Sequence, residues 1–348
     1  MRKLTLLILV PVLAAACGGS RHYTSPTKTT ASSGADSKVL VGAGSTFVYP
    51  LVSQWIADHS EKTGVTVSYG AMGSGGGIAA VSDRSVDFGA SDAPLTSDQQ
   101  ASCKNCVQVA WALAGTSVAY HLEGAPRHLR LSGPVLANIF LGKITSWNDP
   151  AIAKLNSGAS LPATHITPVF RSDSSGTSFN FSDYLSHVSP TWKSEVGRST
   201  QPTFPTGQGA RGSSGVSGLV SNTDGALTYV DVAYAATSHL SYAAVENKAG
   251  KFTLPDVKTC SAAASVAGAP EPNKGVSIVD PSASAAAAYP ICTFTYVIVP
   301  HSSPNAGALK QFLDYALTNG QQLGAKLLFS PLPKAVVAAS KKAVATIH

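Results

Sequence analysis

Arg171-Ser172-Asp173-Ser174-Ser175-Gly176-Thr177-Ser178-Phe179 is the stretch on which the reading of this chain turns. It follows a short apolar run, Ile166 to Phe170, that reads as a strand. It precedes Phe181, Tyr184, Leu185 and Val188, whose i, i+3, i+4, i+7 spacing lies on one face of a helix. A guanidinium therefore stands at a strand end, and Ser175, Gly176 and Thr177 fall where a helix begins. A helix start presents unpaired N–H groups and the positive end of the dipole, which suits an anion. Arginine adds a planar fork that matches two oxygens of phosphate, sulphate or carboxylate. A serine-capped helix beside a surface arginine is the plain alternative.

Two further strand–turn–helix units share this character. Val39 to Val41 runs into Gly42-Ala43-Gly44-Ser45-Thr46-Phe47, and Val48, Leu51, Val52, Trp55 and Ile56 then line a helix face. Ser45 or Thr46 is expected to cap that helix. No Gly-Lys-Ser/Thr follows, so this is not a nucleotide-binding loop. Gly64 ends the helix, Val65 to Tyr69 alternates as a strand, and Gly73-Ser74-Gly75-Gly76-Gly77 leads into Ile78. Glycines so placed around Ser74 expose backbone N–H groups and let a ligand approach closely. Asp87-Phe88-Gly89-Ala90-Ser91-Asp92-Ala93-Pro94 ends a short strand in a turn with Asp92 at its rim.

The N-terminus reads as an export signal over residues 1–16. Arg2 and Lys3 precede an apolar run from Leu4, and Ala14-Ala15-Ala16 precede Cys17. The run is too short for a membrane span. Cys17 looks like a bacterial lipoprotein cleavage site, with ordinary cleavage near Ala16 as the alternative. Residues 17–37 are rich in Gly, Ser, Thr, Pro and Ala and read as a flexible, lipid-anchored tether. About 310 residues remain, enough for two cores. Charged residues are 13% of the chain, and the net charge of +6 falls to +4 when Arg2 and Lys3 leave with the signal. So mild an excess, not clustered in runs, tolerates an anion but does not suggest nucleic acid.

Five cysteines fit an oxidising location. With Cys17 acylated, four remain to pair as two bridges. Cys103 and Cys106 read as a small local bridge and Cys260 and Cys292 as a longer one, with other pairings left open. The nine histidines show no metal-binding spacing, and no metal or cofactor is expected.

The three Gly-rich or Ser-rich turns, the Asp87–Pro94 segment, and Leu141-Gly142-Lys143-Ile144 with Trp147-Asn148-Asp149 occur in an order and spacing that resembles the PstS family. That family is the phosphate-binding component of the high-affinity ABC phosphate importer. The resemblance runs from about Val39 to Val299 and more weakly beyond. It implies an α/β, two-lobed periplasmic-binding-protein-like fold of type II with a two-strand hinge. Carried over by motif, it implies that Thr46, the backbone N–H of Phe47, and Ser74 contact phosphate oxygens. Asp92 would accept the phosphate proton, and Arg171 would donate two bonds while Asp173 holds it. Ser175, Gly176 and Thr177 would close the cage. Ser174 stands where the family commonly has Gly, and Gly75 where it commonly has a second Ser. The implied partners are inorganic phosphate, the permease subunits and ATPase complex, and the membrane through the anchor. The implied place is the outer face of the bacterial cytoplasmic membrane or the periplasm, and the implied role is not enzymatic.

Two long apolar runs, Val107 to Leu122 and Cys292 to Val299, are expected to be the hinge crossings. They divide the chain into lobe one (38–118 plus 294–348) and lobe two (119–293). Leu309, Phe312, Leu313 and Ala316 form the face of a late helix on lobe one. Gly207-Gln208-Gly209-Ala210-Arg211-Gly212 matches a dinucleotide fingerprint by pattern, but it follows Pro205 without a preceding strand and is discounted. An exported phosphoester hydrolase with Ser74 or Ser175 as nucleophile, or a binder of another tetrahedral oxyanion, are the alternatives. The hydrolase would need a base or a metal pair within reach. Replacing Cys17 with Ala is expected to release the protein from the membrane fraction of the cell, and retention as firm as wild type would contradict the lipid anchor.

Overall fold

A fifteen-residue strand, Cys106–Tyr120, is buried along its whole length and ties the molecule together. A computed structural model describes residues 39–268 and 274–348; the signal, Cys17 and the tether lie outside the described residues. In chain order the strands are β1 (Val39–Gly44), β2 (Thr66–Ala71), β3 (Phe88–Ser91), β4 (Cys106–Tyr120), β5 (Arg130–Leu131) and β6 (Thr167–Arg171). They continue with β7 (Gln208–Ala210), β8 (Ala226–Asp231), β9 (Ser241–Tyr242), β10 (Ala244–Glu246), β11 (Phe252–Thr253) and β12 (Cys292–Pro300). The large sheet has the order β2-β1-β3-β12-β4-β8-β6-β7, with β9 also on β4, and β11-β10-β5 form a small second sheet.

β4 changes partner along its length. Cys106–Gly115 pairs with β12, and Thr116–Tyr120 pairs with β8. The sheet therefore has two halves joined through one strand, which is the expected two-lobed α/β architecture. β12 pairs only with β3 and β4, so the return crossing lies at its start, where the Thr116 amide donates to Ile291 O. β4 and β12 are covered on both faces and are mostly apolar, with Gln108, Thr116, Ser117, Thr293 and Thr295 buried among the apolar residues.

Each half has its own topological switch point. In the first, β1 lies between β2 and β3 and runs parallel to both. In the second, β6 lies between β7 and β8 and runs parallel to both. Crevices open where the chain leaves such a central strand in opposite directions, beyond its carboxyl end. Those ends are Gly44 and Arg171. Gly44 is needed there: its φ is +139°, and a Cβ would stand 2.2 Å from Ala90 O.

The cores follow the same division. Trp55, Trp111, Phe88 and Phe312 pack edge to face or tilted in the first half, the two Trp ring centroids 5.2 Å apart. Leu309, Phe312, Leu313 and Ala316 are buried on the Ala306–Ala316 helix, as their spacing predicts. In the second half Phe181 stacks on Tyr229 at 4.5 Å, with Phe140 and Phe204 against them. The helix after β1 starts later than expected. It spans Tyr49–Thr63 with Val48 at its N-cap and no side-chain cap. Pro50 sits in the first turn, where no intrahelical N–H is needed, and Ser45 Oγ still accepts the Val48 amide at 3.3 Å just ahead of the helix.

Cys103 is bonded to Cys106 and Cys260 to Cys292. The longer bridge fastens the Val257–Ser265 helix to the first residue of β12, opposite Gly115, beside the point where β4 changes partner. It closes a sequence separation of 32 residues. Removing it as C260A/C292A is expected to lower the unfolding free energy by about 3–4 kcal/mol through the freed unfolded chain. Guanidinium unfolding with an unchanged midpoint would contradict this.

Candidate functional site

The two switch points face each other, and the residues at their tips touch. Arg171 ends β6 with only 4% of its surface exposed. Its Nε donates to Asp173 Oδ1 at 2.7 Å and its Nη2 to Asp173 Oδ2 at 2.5 Å. This side-on pairing uses one edge of the fork; among the described residues nothing accepts from Nη1. Burial works upward on Asp173, but the Arg171 fork and the Gly212 amide, 3.0 Å from Oδ1, hold its carboxyl below the usual range. The Arg171 amide donates to the Tyr229 hydroxyl at 3.1 Å, so the aromatic core fixes the strand end itself.

Ser175 caps the Gly176–Val188 helix as its position predicts, its Oγ accepting from the Ser178 amide at 3.2 Å. Its own amide donates to Thr200 O. Only the Ser175 hydroxyl proton is then available to a ligand. The Gly176 amide donates across the cleft to Ser74 Oγ at 3.0 Å. A Cβ at Gly176 would stand 2.7 Å from the backbone of Asp92 and Ala93, so only glycine allows this approach. The Thr177 hydroxyl is buried and has no hydrogen-bond partner. A buried hydroxyl left unpaired is uncommon and points to a missing acceptor.

Asp92, at the end of β3, is 1% exposed. Oδ1 accepts from the Ser45 hydroxyl at 2.5 Å, and Oδ2 faces the Ser74 hydroxyl at 3.5 Å. The Asn180 side-chain amide holds the Asp92 carbonyl at 2.9 Å. Burial pushes the Asp92 carboxyl up to about 6, although Ser45, Arg171 and Ser74 all pull it down. Thr46 is also buried, its Oγ1 2.9 Å from Ser213 Oγ and accepting the Ser213 amide at 3.2 Å. The Phe47 ring is turned into the core against Phe329, which leaves only its backbone for a ligand.

The expected residues thus form one cluster drawn from both halves of the sheet. Three neighbours were not anticipated: Ser45, Asn180 and Ser213. Ser213 directly follows the segment discounted above. Gln208–Ala210 is in fact the short edge strand β7, and Gly212 begins a helix, Gly212–Ser221, whose first residues meet Thr46 and Asp173. A Gly-rich turn ahead of a helix was the available signal. The cluster combines a buried guanidinium, a helix start and several hydroxyl donors with one carboxylate acceptor. Such a set fits a tetrahedral oxyanion that still carries a proton.

The PBP superfamily domain matches residues 27–319 of this chain. Phosphate-binding protein PstS of Xylella fastidiosa (strain Temecula1) is 41% identical over 86% of this chain and 82% of its own. Phosphate-binding protein PstS 2 of Mycobacterium tuberculosis is 34% identical over 99% of this chain and 97% of its own. The chain belongs to the PstS family. Among solved structures, a high affinity periplasmic phosphate-binding protein (PfluDING) bound with phosphate superposes on this PstS family member with a TM-score of 0.70 and 21% identity. It covers 87% of this chain and 93% of its own. A phosphate binding protein from Stenotrophomonas maltophilia has a TM-score of 0.68 at 20% identity, over 88% of this chain and 93% of its own. Both share the fold of this PstS family member.

Proposed function

We propose that this protein binds inorganic phosphate in the cleft between the two halves of its sheet and delivers it to an ABC phosphate permease and its ATPase complex. Lobe one is residues 38–118 plus 294–348 and lobe two is residues 119–293. The protein works outside the cytoplasmic membrane of a bacterium, held there by lipid on Cys17. Among the described residues no helix is long and apolar enough to cross a membrane. The relatives bear the name phosphate-binding protein, which supports a carrier rather than an enzyme.

The observation that carries the reading is Asp92, a buried carboxylate set beside a buried guanidinium and a ring of hydroxyls. Arg171, Thr46, Ser74, Ser175, Thr177 and the amide of Phe47 donate to the phosphate oxygens, and Gly176 closes the cage with its amide on Ser74 Oγ. Asp92 accepts the proton that phosphate retains near neutral pH. Asp173 keeps the Arg171 fork in place. A hydrolytic role for Ser74 is disfavoured because its Oγ accepts two amides, Gly176 at 3.0 Å and Asp92 at 3.3 Å. Those bonds occupy the lone pairs a nucleophile would need.

Sulphate carries no proton, so an ionised Asp92 opposes it with a buried like charge, which costs several kcal/mol. Below the Asp92 pKa of about 6 the carboxyl is neutral and donates instead. Sulphate affinity is therefore expected to rise as pH falls towards 6 and to drop about tenfold per unit above it, since binding requires the protonated form. Asp92→Asn is expected to retain phosphate binding, to admit sulphate, and to lose the pH dependence. Competition calorimetry of the two anions between pH 5 and 8 checks this. An unchanged phosphate-to-sulphate ratio in the Asn variant would contradict Asp92 as the proton acceptor.

A further inference from the structure

Outside the buried cluster lies a chamber of about 430 Å³, room enough for a small ligand. Thr46, Tyr49 and Tyr69 line it from the first half of the sheet, and Asp173, Arg211 and Tyr234 from the second. Thr46 and Asp173 belong to the chamber and to the cluster alike, so the chamber is the outer reach of the same cleft. Arg211 is exposed at the N-cap of the Gly212–Ser221 helix and makes no hydrogen bond or ion pair among the described residues. The hydroxyls of Tyr49 and Tyr234 are likewise without a partner among the described residues, whereas that of Tyr69 donates to Ser45 O at 2.9 Å. Asp173 is the one carboxylate of the lining, and its oxygens are taken by the Arg171 fork and the Gly212 amide. Arg211 therefore leaves the chamber net positive.

We propose that this chamber is an outer anion subsite through which phosphate enters, and that Arg211 is its capture residue. Charge balance carries the inference. In the inner cluster Arg171 is offset by Asp173, and an ionised Asp92 leaves the whole net negative towards an approaching anion. That cluster holds an ion by close hydrogen bonds, but it attracts none from a distance. The attraction has to come from the mouth, where Arg211 stands exposed and uncommitted. Its field reaches about 10 Å at ordinary salt and acts on encounter. It therefore speeds association and leaves dissociation to the inner donors. Because both halves line the chamber, it widens when they part, and an ion held against Arg211 then has Thr46 as its next donor.

This rests on the phosphate reading of the site, and the test separates the two. Calorimetry with inorganic phosphate gives Kd, a rapid-filtration chase of radiolabelled phosphate gives the dissociation rate, and the two together give the association rate. At low ionic strength Arg211→Gln is expected to associate about threefold more slowly than wild type and Arg211→Glu about tenfold, with dissociation within about twofold. Arg211→Lys is expected to match wild type, because capture needs a charge and not a planar fork. At high salt all four proteins are expected to converge. Equal association rates at low salt overturn the inference, as does a loss that persists at high salt or one that appears in dissociation instead. Phosphate binding with unchanged rates leaves the functional reading standing without it, whereas a wild type that binds no phosphate overturns both.

Discussion

The Arg171–Asp173 ion pair sets the terms for everything around it. Arg171 is buried at the end of a central strand with the partly exposed Asp173 just beyond it, and a buried charge must be paired or it destabilises the fold. Asp173 satisfies one edge of the guanidinium and is itself held by the Gly212 amide from another helix start. The pair thereby fixes where the second half of the sheet presents its remaining donors. Burial pushes the Asp92 carboxyl up to about 6, against the downward pull of Ser45, Arg171 and Ser74. A site with this balance is completed by an anion able to give up a hydrogen bond as well as accept several.

Sheet topology makes the cluster possible. β1 and β6 each lie between parallel neighbours, so each ends in a crevice, and β4 joins the two sheet halves that carry them. The contacts across the cleft are short polar ones: Gly176 to Ser74, Thr46 to Ser213, and Asn180 to the Asp92 carbonyl. Hydrogen bonds of this kind contribute only about 1 kcal/mol each. The Cys260–Cys292 bridge is set beside the crossing, where it fastens one end of the hinge strand without spanning the cleft.

How much of this was legible in the sequence depended on distance along the chain. Ser175, Gly176 and Thr177 were readable because a strand, a turn and a helix start follow one another within a few residues. The long strands β4 and β12 were readable because burial on both faces leaves mostly apolar runs, although the return crossing falls just ahead of β12 and not along it. Ser45 and Asn180 were not, because their partners are 47 and 88 residues away. β7 escaped because three residues that include a glycine carry no alternation, and the turn it begins was therefore set aside. The expected cap at Ser45 or Thr46 lies too early, because the helix begins at Tyr49 with Val48 as its N-cap; Ser45 Oγ holds the Val48 amide instead, and Thr46 Oγ1 meets Ser213.

Phosphate calorimetry on the wild type beside Arg171→Ala and Arg171→Lys tests the central claim most directly. The account predicts that removing the guanidinium weakens phosphate by at least about 2 kcal/mol, some thirtyfold. It predicts that lysine recovers only part of the loss, because an ammonium lacks the planar fork that serves Asp173 and the anion together. Phosphate affinity in Arg171→Ala equal to that of the wild type would contradict it.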